Sequence, residues 1–394
     1  ILYSFHVYRG NYRNAASAMY QYARRLGAVM RHSGDVAQLL VEQGQALLAC
    51  LNGLTIVDRQ YAWVVVSHEN NAEDADASKR KRRRIAIGRY DASIGQGHDI
   101  DIVELADVRR EYTLCMARLT LAHSFAELFS RNILLEPEDA VALYVKLGMY
   151  DASIAFARTF ALKLDSIFRS LVQRCVELSS SRSLVQREQT PEAFWENAGI
   201  QQVAGTLGER AWRLLQHYLS ADVLPGDTMR YQLLVAEEIL TIDSDMPLPP
   251  WLSSQLLCEC PQSLVRLCLR SGCVSEGGSF LLQHINSLCA RISATDSVAK
   301  KTREFWLPYQ LLDQTMEILD DAVVKFEMAV EKIKAARKQG GLVDAEKARL
   351  RGLFRSYGER MDGLKRLRDE LRDAVDRYMA FAARESRDIS ETIV

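Results

Sequence analysis

Over its 394 residues the chain carries only eight prolines, and its 21 glycines form few turn clusters. Sandwiches and barrels need turn signals every ~8–12 residues, so their scarcity excludes that class and favours helices. Net charge is missing as well. Lys and Arg number 50 against 51 Asp and Glu, a formal charge of −1, so no global field exists to hold nucleic acid or an anionic membrane. No apolar run reaches the ~18–20 residues a spanning helix requires. No secretory leader is expected, and the eight cysteines are scattered, which predicts free thiols on the reducing side of the cell. The first residue is Ile1, and the chain reads as a soluble piece of something longer that starts inside a helix.

Constellations that carry chemistry are absent too. His6, His32, His68, His98, His123, His217 and His284 are spread along the chain and make no His-Glu-x-x-His pair. Cys258, Cys260, Cys268 and Cys273 lie near His284. Zinc knuckles space their cysteine pairs by about two to four residues, whereas one residue separates Cys258 from Cys260, so these thiols read as small buried hydrophobes. Gly95-Gln96-Gly97 has no strand before it, which removes the phosphate-loop context. No Gly-x-Ser-x-Gly elbow occurs, and no carboxylate pair stands in an apolar setting that would tune it for acid–base work. No catalytic, metal-binding or cofactor-binding residue is therefore assigned, and the chain is not expected to be an enzyme.

What is present is helical periodicity. Within Ile100–Phe129, Leu105, Val108, Tyr112, Cys115, Leu119, Ala122, Ala126 and Phe129 recur at steps of three and four, on one helical face. A second stripe runs through Leu114, Ala117, Leu121, Phe125 and Leu128. Two apolar stripes require two packing partners. The stretch is predicted to be one helix about 40 Å long, inside a stack that needs no active site.

Helical hairpins surround it. Leu2, Phe5 and Tyr8 stop at Gly10-Asn11 before Ala15, Ala16, Met19, Tyr22 and Leu26; Tyr144 leads through Gly148-Met149-Tyr150 to Ala152 and Ala155; Leu264–Leu269 leads to Gly272-Cys273-Val274. In each, a glycine allows the turn, the packing grammar of tetratricopeptide-like units. Their uneven spacing excludes a fixed-period repeat and favours an irregular α-solenoid. Val36–Ile56 is a strongly apolar helix, and Tyr61–Val66 closes the first block. Residues 67–99 hold too little apolar surface to offset chain entropy and are predicted to be a disordered surface loop. Its run Lys79, Arg80, Lys81, Arg82, Arg83, Arg84 has the composition of a nuclear import signal, although such runs are more often simply solvated. Breaks are expected around Leu224–Asp227 and Asp243–Pro250.

The C-terminal quarter changes character. Leu312, Met316, Leu319, Val323, Phe326, Val330 and Ile333 form a heptad seam, Gly340-Gly341 ends it, and Leu350, Tyr357, Leu364, Leu371 and Tyr378 recur every seven. This predicts an antiparallel helical hairpin whose interleaved outer charges argue against a nucleic-acid arm. The expected architecture is all-α: an irregular solenoid of stacked hairpins over 1–66 and 100–303, interrupted by the loop, with a charged hairpin over 304–394.

Several segments resemble one family, the C-terminal helical region of the large, 160-kDa-class nucleoporin of the Y-shaped outer-ring subcomplex of the nuclear pore. They are Leu2–Arg13 with Ala15-Ala16 and Met19-Tyr20, Tyr61-Ala62-Trp63, Asp101–Leu105, Arg110-Glu111-Tyr112, Ala117–Ala122, Gly148–Ala155, Leu248–Leu252, and Trp306–Tyr309 with Leu312-Asp313-Gln314. They keep the family's order over roughly residues 1–320, and that order is more specific than any one motif. The family's N-terminal β-propeller is not in this sequence, and the hairpin after Asp320 is longer than the family's. The resemblance implies a structural scaffold at the nuclear envelope, with other scaffold nucleoporins of that subcomplex as partners, supporting pore assembly, messenger RNA export and protein transport. No small-molecule substrate, direct nucleic-acid contact or transmembrane segment is expected. An aromatic-rich loop leading into a helix suits a docking anchor, which makes Trp306, Pro308, Tyr309, Leu311 and Leu312 the candidate interface residues; the alternative is that they cap the solenoid's own core. The competing function is a tetratricopeptide-like adaptor that binds peptide or cargo proteins.

Overall fold

A computed structural model describes residues 1–30, 36–67, 100–124, 135–179, 191–197, 205–220, 226–244, 246–293, 307–338 and 344–393. Of the expected loop 67–99 only Ser67 is among them, so the basic run Lys79–Arg84 lies outside the described residues. The described residues hold fifteen α-helices, a short 3-10 turn and one two-stranded sheet. The chain is all-α in class, and it divides into two compact units.

The first unit comprises Ile1–Ile167 with Thr190–Ala198. It contains α1 (Leu2–Tyr8), α2 (Tyr12–Met30), α3 (Val36–Ile56), β1 (Trp63–Ser67), β2 (Ile100–Glu104), α4 (Leu105–Ser124), α5 (Pro137–Leu147), α6 (Tyr150–Thr159) and the start of α7 (Asp165–Ser179), with the short α8 (Glu192–Trp195). Small residues bring α2 onto α3: Ala15, Ala16 and Ala23 are buried, and a Cβ on Gly53 would stand only 3.2 Å from Ala16 Cβ. By length and composition α3 could cross a membrane, although Gln38, Glu42, Gln43 and Gln45 interrupt its apolar residues. Packing accounts for its apolarity: Leu40, Leu47, Cys50 and Leu54 are buried in one core with Tyr20 of α2 and Val108 and Cys115 of α4.

The stretch predicted as one long helix is corrected at its start. Residues Ile100–Glu104 are a strand paired antiparallel with Trp63–Ser67. Alternation explains it: Val64 and Val66 are buried, while Val65 and its cross-strand partner Ile102 stand on the open face. Arg13 clamps the sheet to α2, its guanidinium 3.3 Å from the Trp63 ring centroid and its Nε donating to the Trp63 carbonyl at 3.1 Å. The helix proper, α4, has 20 residues, about 30 Å; Phe125, Leu128 and Phe129 lie outside the described residues. It packs on α3 through one stripe and meets α5 and α6 as well.

Between α5 and α6 the chain turns on Gly148, whose φ of +78° suits only a residue without a Cβ. Asn197 locks this corner from the α8 segment. Its Nδ2 donates to the Gly148 carbonyl at 2.8 Å and to the Phe194 carbonyl at 2.9 Å, and its Oδ1 accepts from the Asp151 N–H at 3.0 Å.

The second unit comprises Phe168–Gln189 with Gly199–Val394. Its helices after α7 are α9 (Leu207–Tyr218), α10 (Thr228–Ile242), α11 (Pro250–Glu259), α12 (Pro261–Arg270), α13 (Val274–Ser293), α14 (Tyr309–Lys338) and α15 (Asp344–Ile393). A capping box starts α9: Glu209 N–H donates to Thr206 Oγ1, and Thr206 N–H donates to Glu209 Oε2. Trp212 Nε1 donates to Ser179 Oγ at 2.8 Å, tying α9 to α7. Pro250, expected in a break, is instead the first residue of α11, where its missing N–H would have had no intrahelical partner.

The charged hairpin is antiparallel and built on α13. Leu319 and Val323 of α14, Leu367 and Leu371 of α15, and Leu281 and Ile285 of α13 share one core. A Cβ on Gly278 would fall 2.8 Å from Leu367 Cδ2, so the missing side chain lets α15 seat against α13.

Candidate docking surface

Leu307, Pro308, Leu311 and Leu312 gather at the start of α14, all buried. Leu307, Leu311 and Leu312 join the core shared with α13 and α15, because positions 311, 312, 315 and 319 follow the spacing of the inner seam. Tyr309 falls outside that seam and is 49% exposed. Its hydroxyl lies 3.8 Å from the sulfur of Met379 on α15, itself 49% exposed. Trp306 lies outside the described residues. Of the candidate anchors, burial thus leaves Tyr309 at the surface, and the fold adds Met379, which sequence spacing does not single out. The buried Tyr378 phenol beside them is pushed up to about 12 by burial, with Tyr309 and Cys289 nearby.

Charges flank the hairpin seam in specific pairs. Arg368 bonds Asp320 at 3.2 Å and Asp369 at 3.0 Å; Lys365 Nζ is 2.6 Å from Glu327; Arg372 reaches Asp320 at 3.5 Å. Each such exposed pair is worth about 0.2–1 kcal/mol. The three that cross from α15 to Asp320 and Glu327 of α14 favour the antiparallel register over alternatives.

Chemistry of other kinds finds little to work with here. One open cleft of about 560 Å³ is lined by Glu237, Leu240, Asp243, Leu267 and Arg270 among others, and a second of about 370 Å³ by Arg266, Arg270, Gln314 and Glu317 with two apolar neighbours. No histidine or cysteine lines either. Among the described residues no group of three His, Cys, Asp or Glu is placed to hold a metal ion. Cys273 donates to the Ser244 carbonyl at 3.2 Å, and Cys260 contacts the Met229 sulfur. Burial pushes the Cys268 and Cys50 thiols up to about 12 and Cys115 to about 11, so they stay protonated and poorly nucleophilic. The side chain of His123 lies outside the described residues.

Sequence comparison places the chain in a family. The profile of the Nup160 C-terminal TPR family matches residues 104–337, more than half of the chain. The chain belongs to this family. A second profile, the NUP160/120 middle TPR, matches residues 1–56. Among relatives, the chain is similar to the nuclear pore complex protein Nup160 of Mus musculus, 28% identical over 338 residues, covering 82% of this chain and 22% of the relative. The Homo sapiens Nup160 gives the same identity and coverage. The Arabidopsis thaliana NUP160 is 26% identical over 344 residues, covering 80% of this chain and 22% of the relative. The chain therefore spans about a fifth of the length of these relatives. In structural terms the Nup160 C-terminal TPR match runs from the end of β2 to the last turn of α14, and α15 lies beyond it.

Proposed function

We propose that this chain is a scaffold segment of the nuclear pore complex at the nuclear envelope, contributing to pore assembly and through it to protein import and messenger RNA export. The observation that carries the reading is the match of the Nup160 C-terminal TPR profile over residues 104–337, which takes in helices of both units. Its partners are other scaffold nucleoporins, those of the Y-shaped subcomplex in particular. The docking segment is the C-terminal part, 304–394, with Tyr309 and Met379 as the exposed anchor pair at the base of the hairpin. An exposed tyrosine beside a methionine supplies large contact area at low ordering cost. A peptide-binding adaptor would need a deep apolar groove, and the two clefts described are open and mixed in polarity. No catalytic role is proposed.

The test is affinity capture from nuclear envelope extract with the full chain and with a Tyr309→Ala/Met379→Ala variant, followed by mass spectrometry after a moderate salt wash. Retention of the Y-subcomplex nucleoporins by the wild-type chain, reduced at least tenfold by the variant, supports the reading. Recovery of only soluble peptides or cargo proteins overturns the scaffold assignment, and equal retention by both chains moves the contact away from this pair.

A further inference from the structure

Helix α14 has a second long face. Asp313, Glu317, Asp321, Val324, Met328, Lys332 and Ala335 recur at steps of four, four, three, four, four and three, one continuous stripe on the helix. All seven are exposed, because α13 and α15 cover the inner seam. Val324 and Met328 are 51% and 52% exposed, the largest apolar side chains on this stripe. Neither Asp321 nor Lys332 makes an ion pair among the described residues, whereas the neighbouring Asp320 is held by Arg368 and Arg372. Glu317 already shares an open cleft with Arg266 and Arg270, so the uncommitted charge at the acidic end belongs to Asp313 and Asp321.

Order along the stripe is the informative feature: carboxylates, then two apolar side chains, then an ammonium group. Turned end for end about Phe326, the middle of that pattern complements itself: Val324 comes opposite Met328 and Asp321 comes beside Lys332, while Glu317 comes opposite Ala335. We propose that this face of α14 is a homodimer interface, occupied by a second copy of the chain running antiparallel about a two-fold axis near Phe326. Val324 then meets the partner's Met328, and Asp321 faces the partner's Lys332. The symmetry makes every contact occur twice. A partner of unrelated sequence would have to carry the reverse charge order, which a second copy supplies automatically. The apolar pair provides the attraction, and the charges select the antiparallel orientation, since a parallel pairing would set carboxylates against carboxylates. This contact does not depend on the nuclear pore reading.

Sedimentation equilibrium of the full chain over a concentration series, at low and at high salt, tests the proposal. Expected is a reversible rise from one to two chain masses, displaced to higher concentration by salt. Val324→Lys/Met328→Lys should remain at one chain mass with unchanged circular dichroism. Asp321→Lys and Lys332→Asp should each weaken dimerisation about tenfold, and the Asp321→Lys/Lys332→Asp double variant should recover it. A single chain mass at every concentration overturns the proposal, as does a dimer indifferent to Val324→Lys/Met328→Lys or a double variant no better than the singles. Capture of a different pore protein by this face, with the chain itself monomeric, overturns it also.

Discussion

Asn197 satisfies three backbone groups with one buried side chain: the carbonyls of Gly148 and Phe194 and the N–H of Asp151. Truncation takes one hydrogen bond from each group at a site that is 4% exposed at Asn197, although the Gly148 carbonyl keeps the Tyr150 N–H at 3.1 Å. Asn197→Ala should therefore destabilise the first unit by about 1–3 kcal/mol, read as a lower urea midpoint. Gly148→Ala should act at the same corner, because φ is +78° and the new Cβ would sit 3.0 Å from Phe194 Cβ. Gly10 also has positive φ, at +70°, but with open space around it. Gly10→Ala should cost only the backbone strain of about 1–2 kcal/mol, less than Gly148→Ala.

The buried thiols make a different residue-scale prediction. Burial pushes Cys50 and Cys268 up to about 12 and Cys115 to about 11. In the unfolded chain a thiol ionises near ~8.5. Above that pH the unfolded state has released protons that the folded state still holds, so stability that is full below it falls as pH rises toward the folded values. The slope is at most about 1.4 kcal/mol per pH unit for each thiol. Urea titrations at pH 7, 9 and 10 should show the decline, and Cys115→Ala should flatten it relative to wild type. Identical slopes for the two proteins would remove Cys115 from the account.

At the scale of elements, α15 carries Gly352, Gly358 and Gly363, each with open space where a Cβ would go. Glycine inside an exposed helix costs about 0.5–1 kcal/mol against alanine. Gly352→Ala/Gly358→Ala/Gly363→Ala should slow amide exchange along this part of α15 and raise the helical signal; unchanged exchange would mean that packing alone sets its stability. The seam that holds α15 is legible in the sequence, since Leu364, Leu371 and Tyr378 repeat every seven residues and all three are buried. The β-hairpin is not. Its strands are five residues each and far apart along the chain, and Ile100–Glu104 runs straight into a helix whose period masks the short alternation. The docking anchors are half legible for a related reason. Spacing marks Leu311 and Leu312 as facing one side, but the same spacing serves a core and an interface equally, and only the packing of α13 and α15 assigns them to the core. Met379 escapes sequence reasoning because its partner Tyr309 is 70 residues away.

At the scale of the whole molecule, the question is whether α15 is an appendage or part of the second unit's core. It lies beyond the Nup160 C-terminal TPR match, which ends at residue 337, yet Leu364, Leu367, Leu371, Ala374 and Tyr378 are buried against α13 and α14. Burial of five such side chains is worth on the order of 10 kcal/mol, comparable with the ~5–15 kcal/mol that holds a whole domain together. Ending the chain after residue 343 should therefore remove more helix than the 50 residues of α15, because α13 and α14 lose the surface they fold against. Circular dichroism and dye binding to exposed apolar surface measure this directly: a helical loss beyond α15's share, with strong dye binding, marks α15 as core. A loss limited to α15 itself, with no dye binding, would make it an appendage. The first outcome also means that deleting the hairpin cannot locate a docking site, since partner loss would follow from unfolding, and point changes at exposed side chains such as Tyr309 and Met379 are the variants that separate contact from fold.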